Sequence, residues 1–383
     1  VVGRFDLRNA TVAVRPLDWS KEPGVEGQAQ MTLKLAAGGK LTTIDGEGRA
    51  NGFSAKGQAR FAGDNVVQQI SVQQLRIGRT DLAIDWTRSP GGVELSLRGP
   101  SLELPRVRKA LEGRDDLVRQ DPGGGPGTAQ SNTRLFLQLQ QVLTERGTVG
   151  YVNGRLELAG ERVASADLSI GAGRGSTFRV TPGAQGRSLL VYVADFGLML
   201  RDAGWLDGLA SSYLHVEGRF EDAAANSPLT GTLKMGAFRL QKVTPRAGIG
   251  TLNSTIDGLN RAGNALQQFD SLKAKITKTG ERIQIKDGRT NGPSIGLTAQ
   301  GYVDLGNDTA RLSGIVVPAF ALNNLLSNVP LLGPLLTGGK DGGVFAITYQ
   351  LHGPLDNLTT DINMASMMTP GALRDLFNSQ SAP

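Results

Sequence analysis

Gly292-Pro293-Ser294-Ile295-Gly296 has the literal spacing of a serine nucleophile elbow. That chemistry needs a sharp strand-to-helix turn that lifts the serine hydroxyl toward a histidine base. The residues that follow, Leu297 to Asp304, alternate as a strand does, and Pro293 stands directly before the serine. The two histidines are His215 and His352, and neither has an obvious acidic partner. His352 follows the serine, as the chain order of that fold requires, yet the context favours a strand start. The absence of cysteine excludes thiol nucleophiles, disulfides and thiolate-bound metal, and two isolated histidines lack zinc spacing. Gly123 to Gly125, and Gly171, Gly173 and Gly175, do not fit dinucleotide or phosphate loops. Asp115 and Asp116 lie in a polar stretch, and Asp195, Asp202 and Asp207 read as caps or exposed charges around a short helix. No catalytic residue, metal ligand or cofactor is assigned, and the chain reads as a non-enzyme.

The elements that would position any site are strands. Met31, Leu33 and Leu35 alternate with polar residues, as do Leu82, Ile84 and Trp86, then Val93, Leu95 and Leu97. Leu272, Ala274 and Ile276 alternate with Lys273 and Lys275, and Ile283 and Ile285 with Gln284 and Lys286. Successive side chains of a strand point to opposite faces, so each such run has one apolar and one polar side. Short glycine-bearing connectors separate them: Ser89 to Gly92, Ala172 to Gly175 and Thr279 to Glu281. These read as hairpin turns. A degenerate strand–turn–strand layout recurs at Ile70 to Trp86, Ala166 to Val180 and Asp270 to Asp287, which predicts a meander of antiparallel hairpins. Short helices are expected over Pro105 to Leu111, Gly197 to Ala210, Ile256 to Phe269 and Gly371 to Phe377; Thr369-Pro370 supplies an N-cap and a first-turn proline for the last.

Composition agrees. Glycine is abundant at 52 of 383 residues and proline ordinary at 17, which excludes collagen and proline-rich disorder and fits many turns and bulges. The formal charge is +6, but the basic residues are dispersed among acids without aromatic interleaving, so nucleic acid is not expected as a partner. The most apolar stretch, Val329 to Leu336, is broken by Pro330, Gly333 and Pro334 and falls short of the ~20 residues of a membrane helix. The chain begins Val1-Val2-Gly3 with no visible signal peptide, so any anchor is expected outside it. Asp121 to Thr133 is low-complexity and polar, and a linker or disordered loop is expected over residues 113–133 between β-rich regions at 1–112 and 134–383.

The last part of the chain carries a resemblance. Ser294 to Asp304, Gly314 to Gly338, Ala346 to Pro354 and Thr369 to Phe377 resemble the C-terminal region of the AsmA-like family, in its YhdP-like branch. Asp195 to Trp205 and Ile249 to Asp287 are similar in the same way, whereas before residue 195 the likeness is architectural. The chain departs from the pattern at Lys340 to Gly343 and at Asn363 to Ser366.

The resemblance implies a long, curved, taco-like antiparallel groove of repeating hairpins with a few short helices. It further implies a periplasmic location and attachment to the inner membrane through a segment outside this chain. The implied role is transfer of glycerophospholipid toward the outer membrane, as in bridge-like lipid transfer proteins, with phospholipid, the two membranes and envelope proteins as partners. The expected lining is Leu272, Ile276, Ile283, Ile285, Phe345, Ile347, Tyr349 and Leu351. A groove cap or membrane-docking segment is expected from Leu325, Leu326, Leu331, Leu332, Leu335 and Leu336, with Leu373 and Phe377. The alternation pattern alone leaves the cover of the dry face open between an acyl chain and a second sheet. TamB relatives imply a further alternative, a scaffold for outer-membrane protein assembly that binds client strands at a sheet edge.

Overall fold

The computed structural model describes residues 1–14, 19–62, 66–106, 132–160, 162–171, 175–204, 209–224, 227–240, 268–293, 295–318, 347–354 and 359–363. The chain is mainly β and largely antiparallel, and it divides into two units: Val1–Pro182 with Asp202–Gly204, and Gly183–Arg201 with Trp205–Pro383.

In the first unit β1 (Val2–Asp6) is followed by a separate small hairpin of β2 (Val12–Val14) and β3 (Trp19–Lys21). β1 pairs with β4 (Gly27–Leu35), and the ladder continues through β5 (Leu41–Ala50), β6 (Phe53–Phe61), β7 (Val67–Ile77), β8 (Thr80–Ser89) and β9 (Gly92–Glu103). It goes on through β10 (Asn132–Leu143), β11 (Thr148–Ala159), β12 (Arg162–Ile170) and β13 (Ser176–Thr181). One pairing departs from the expected meander: β9 and β10 run parallel. A parallel return needs a dozen or more residues, which the chain between Glu103 and Asn132 supplies. Most of the segment expected as a linker, up to residue 131, lies outside the described residues.

The second unit contains β14 (Ser188–Val193), α1 (Phe196–Asp202), β15 (Leu209–Ser211), β16 (Leu214–Phe220), β17 (Leu229–Met235), β18 (Phe238–Leu240) and β19 (Gln268–Phe269). These are followed by β20 (Ser271–Thr279), β21 (Arg282–Asn291), β22 (Ile295–Asp304), β23 (Thr309–Pro318), β24 (Ile347–Pro354) and β25 (Thr359–Asn363). β14, β16, β17 and β20 to β25 form one antiparallel ladder, while β15, β18 and β19 make a small sheet of their own.

Glycines make the tight turns that the connectors predict. Pro90-Gly91 joins β8 to β9 with Gly91 at φ 88°, and Gly280-Glu281 joins β20 to β21 with Gly280 at φ 54°. Side chains avoid that region, so each turn requires a residue without Cβ.

Two helix expectations are corrected. The helix expected over Gly197 to Ala210 is α1 alone, because Leu209 and Ala210 belong to β15. Asp195 caps it, its Oδ1 accepting from the Leu198 N–H at 2.9 Å, and Gly204 at φ 70° stops it a turn later. Phe269, expected in a helix, lies in β19. Residues 256–267 and 371–377 are outside the described set, and of 105–111 only 105–106 are described, in a helical turn that starts at residue 104.

Each ladder is packed tightly at one end of its strands. In the first unit Leu75, Ile77 and Leu82 are buried with Phe53 and Leu102 against them, and Trp19 of the small hairpin stacks on Phe53 at 4.4 Å. In the second unit Met235, Phe238 and Phe269 form the corresponding cluster, with Phe196 of α1, Leu272 and Tyr349 packed on it. At the other end Arg187 clamps the β16–β17 connection. Its Nη2 and Nε donate to Asp222 Oδ1 at 2.6 and 2.9 Å, its backbone N–H donates to Oδ2 at 2.9 Å, and the Ser227 hydroxyl donates to Oδ1 at 2.6 Å. The guanidinium also lies 4.1 Å over the Phe220 ring.

The hydrogen bonds from Arg187, with that from Ser227, hold the Asp222 carboxyl well below the usual carboxylate range. A depressed carboxylate stabilises the fold fully above its unfolded pKa and loses that contribution as the pH falls through the folded one. Asp222→Asn is therefore expected to cost about 2–3 kcal/mol at neutral pH, since it removes charge-assisted bonds to a buried arginine. Chemical denaturation from pH 7 down past the carboxylate range should show the gap between wild type and variant closing with acid.

Candidate functional site

Residues directly opposite in a ladder project from the same face, so register assigns every strand residue to a side. In the second unit Ile276 stands opposite Ile285, Ile285 opposite Gly301, Gly301 opposite Leu312 and Leu312 opposite Leu351. A second row runs from Val193 through Leu214, Met235 and Leu272 to Thr290 and Leu297. Of the expected lining residues, Leu272, Ile276, Ile283, Ile285, Tyr349 and Leu351 therefore share one face, and the register position of Ile347, opposite Val316, belongs to the same face. Phe345 lies outside the described residues, as do Leu325, Leu326, Leu331, Leu332, Leu335, Leu336, Leu373 and Phe377.

The first unit repeats the arrangement, which sequence reasoning did not resolve residue by residue. Leu33, Ile44 and Ala59 lie in register, and so do Val72, Ile84, Leu97, Leu137 and Gly154. Its opposite face carries cross-strand ion pairs such as Arg76–Asp81 at 2.9 Å and Arg179–Asp167 at 3.1 Å. Each unit thus has one apolar and one polar face.

Away from the packed ends much of each apolar face is half-buried, although Leu351 is buried with Ala310 against Val303 and Leu312. Leu33, Ile44, Leu95 and Leu135 in the first unit, and Val216, Leu233, Ile276 and Ile285 in the second, all keep part of their surface in solvent. A core between two sheets would bury such residues fully. The arrangement can bind apolar matter over many residues.

Two polar groups on the second unit's face define its character. Tyr349 crosses Gly314, and its hydroxyl donates to the Thr298 carbonyl at 2.7 Å. Gly314 is obligatory there, because a Cβ would lie 1.8 Å from the same carbonyl oxygen. Burial pushes the Tyr349 phenol up to about 12. Thr290, between Leu272 and Leu297, has a buried hydroxyl without a hydrogen-bond partner.

The catalytic candidates are placed differently. Gly292 and Pro293 lie between β21 and β22, so the motif leads into a strand and not into a helix. Ser294 is outside the described residues. His215 on β16 contacts Glu217 at 3.2 Å, and His352 on β24 lies 3.6 Å from Asp361. These acids were missed because one sits two residues along the same strand and the other across a strand pair. β17, β20, β21, β22 and β23 separate the two histidines in the ladder. Among the described residues no group of acidic or histidine side chains gathers as metal ligands, and no helix is long and apolar enough to cross a membrane. Comparison with protein-family models, curated proteins and solved structures gives no match.

Thr290→Val keeps the shape of the side chain and removes the orphan hydroxyl. The variant should be more stable by about 1 kcal/mol in urea denaturation, because a buried unpaired hydroxyl is a net cost. A loss of stability would show that the hydroxyl has a polar partner in solution.

Proposed function

We propose that the chain is a periplasmic lipid-binding bridge segment, in which the apolar β-face of each unit lines a groove that carries glycerophospholipid acyl chains between the inner and outer membranes. The observation that carries this reading is the half-buried apolar face in each unit, extended across strand after strand by register. The AsmA-like resemblance of residues 195–377 supports it and supplies the envelope setting. Bulges and mid-strand glycines are devices that bend strands, which is what a groove requires. Gly154 and Gly301, both within strands on the apolar faces, have φ of 139° and 138°.

The energetics suit such a cargo. Burying a methylene contributes ~0.8 kcal/mol, so one long acyl chain gains on the order of 10 kcal/mol against a face of this kind. No hydrogen-bonding pocket is then needed, and a chain that interacts about equally along the face moves without deep traps. The protein acts as a carrier and not as a catalyst.

Native mass spectrometry with lipid extraction tests this on the chain purified from a bacterium with two membranes. Phospholipid in stoichiometric amount is expected, and it should be lost in an Ile276→Asn, Ile285→Asn variant that circular dichroism shows to be folded. A stably folded, lipid-free wild type would sink the proposal. A co-purifying extended peptide would favour the assembly scaffold instead.

A further inference from the structure

The polar face of the second unit breaks a rule that the first unit obeys. In the first unit opposite charges face each other: Glu47 and Lys56, Arg76 and Asp81, Arg134 and Glu157, Asp167 and Arg179. In the second unit Lys234 stands opposite Lys273, Lys273 opposite Arg289, and Lys275 opposite Lys286. All five are exposed. Like charges directly opposite on neighbouring strands destabilise a sheet, so three such juxtapositions across β17, β20 and β21 work against the fold.

Two acids lie beside the cluster. Asp287 pairs with Lys275 at 2.7 Å, and Glu217 is engaged by His215. The Asp287 carboxyl is held below its usual range, chiefly by the Lys275 hydrogen bond, with Arg289 and Lys286 adding to it. Two carboxylates beside five cations leave a positive surplus on a rigid array whose rows are ~4.8 Å apart. The row continues from Lys234 to His215 and then to Tyr192. Tyr192 and Tyr213 are both exposed, and their rings stack on each other at 6.3 Å.

We propose that this face docks on the surface of an anionic phospholipid bilayer. Lysine dominates the cluster, and its ammonium acts as a point charge suited to a diffuse field of headgroups, where arginine is the residue of bidentate recognition. Exposed tyrosines beside cations match the interfacial zone, which takes an apolar ring with a polar tip. The two tyrosines pack on each other and do not stand apart as platforms for successive bases, which disfavours a single-stranded nucleic acid. The inference stands on the polar face and does not depend on acyl chains occupying the apolar one.

Vesicle co-sedimentation of the full chain tests it. Binding is expected to phosphatidylethanolamine–phosphatidylglycerol vesicles and not to phosphatidylcholine vesicles, and it should weaken as salt is raised. The triple variant Lys234→Gln, Lys273→Gln, Arg289→Gln should lose roughly tenfold or more of that binding, with a melting temperature unchanged or raised because repulsion is relieved. The matched variant Lys34→Gln, Lys56→Gln, Arg134→Gln on the first unit should bind as wild type does. Equal binding to both vesicle types, tighter binding of a single-stranded RNA than of anionic vesicles, or a lowered melting temperature in the first triple variant would each overturn the proposal.

Discussion

Everything about this fold depends on keeping the parity of each strand. A shift of one residue moves every side chain to the other face, so a sheet with one dry side tolerates no uncompensated slip. The bulge in β21 shows the constraint at work. Between Ile285 and Thr290 the strand inserts one extra residue relative to both neighbours, at Asp287, whose φ is 51°. Strict alternation from Ile283 would place Arg289 on the apolar face. The extra residue sends Arg289 to the polar side and brings Thr290 opposite Leu272 and Leu297. Aspartate tolerates the left-handed conformation better than most side chains, which suits it to this position.

The first unit uses the same device. In β7 the extra residue falls at Gln73-Gln74, between Val72 and Leu75. In β10 it falls at Gln140-Gln141, between Leu139 and Val142. The adjacent β9 carries its own at Gly99-Pro100, so the two parallel strands bulge side by side. Gln138, Gln140, Tyr151 and Asn153 border the open cleft there, of about 480 Å³. After each bulge the apolar residues return to their original face: Leu75 and Ile77 in β7 build the buried cluster at the packed end, and Val142 in β10 is buried as well.

This explains which parts of the fold could be read from the residues. Simple alternation was enough for β4, β8, β20 and the start of β21, and for grouping Ile276 with Ile285. The glutamine pairs and the Lys286-Asp287-Gly288 interruption were visible as breaks in alternation, but a break alone does not distinguish a bulge from a strand end; only the partner strand does. The parallel β9–β10 pairing was beyond reach, because no residue pattern marks the direction in which a chain returns after a long connection. β15, β18 and β19 were missed since strands of two or three residues have no period to detect. Asp195, open between a cap and an exposed charge in the sequence, is the cap, while Gly204 gives no signal that separates a helix stop from a turn, so the expected helix ran past Asp202.

The apolar faces also differ from a protein core in what they omit. Glycine pairs sit opposite each other within them, Gly46 with Gly57 and Gly218 with Gly231. Such pairs give up packing that larger side chains would supply, and they weaken a strand. Lys278, opposite Leu229 and Ile283, places an ammonium-bearing stem among apolar neighbours, and its Nζ donates to the Gly280 carbonyl at the strand end. That is snorkelling, in which the stem covers apolar surface while the charge escapes. A face built this way offers apolar contact and few hydrogen-bonding groups. Its stability comes from the ladders, the packed ends and clamps such as Arg187–Asp222, so the middle of the face is free to remain incompletely covered.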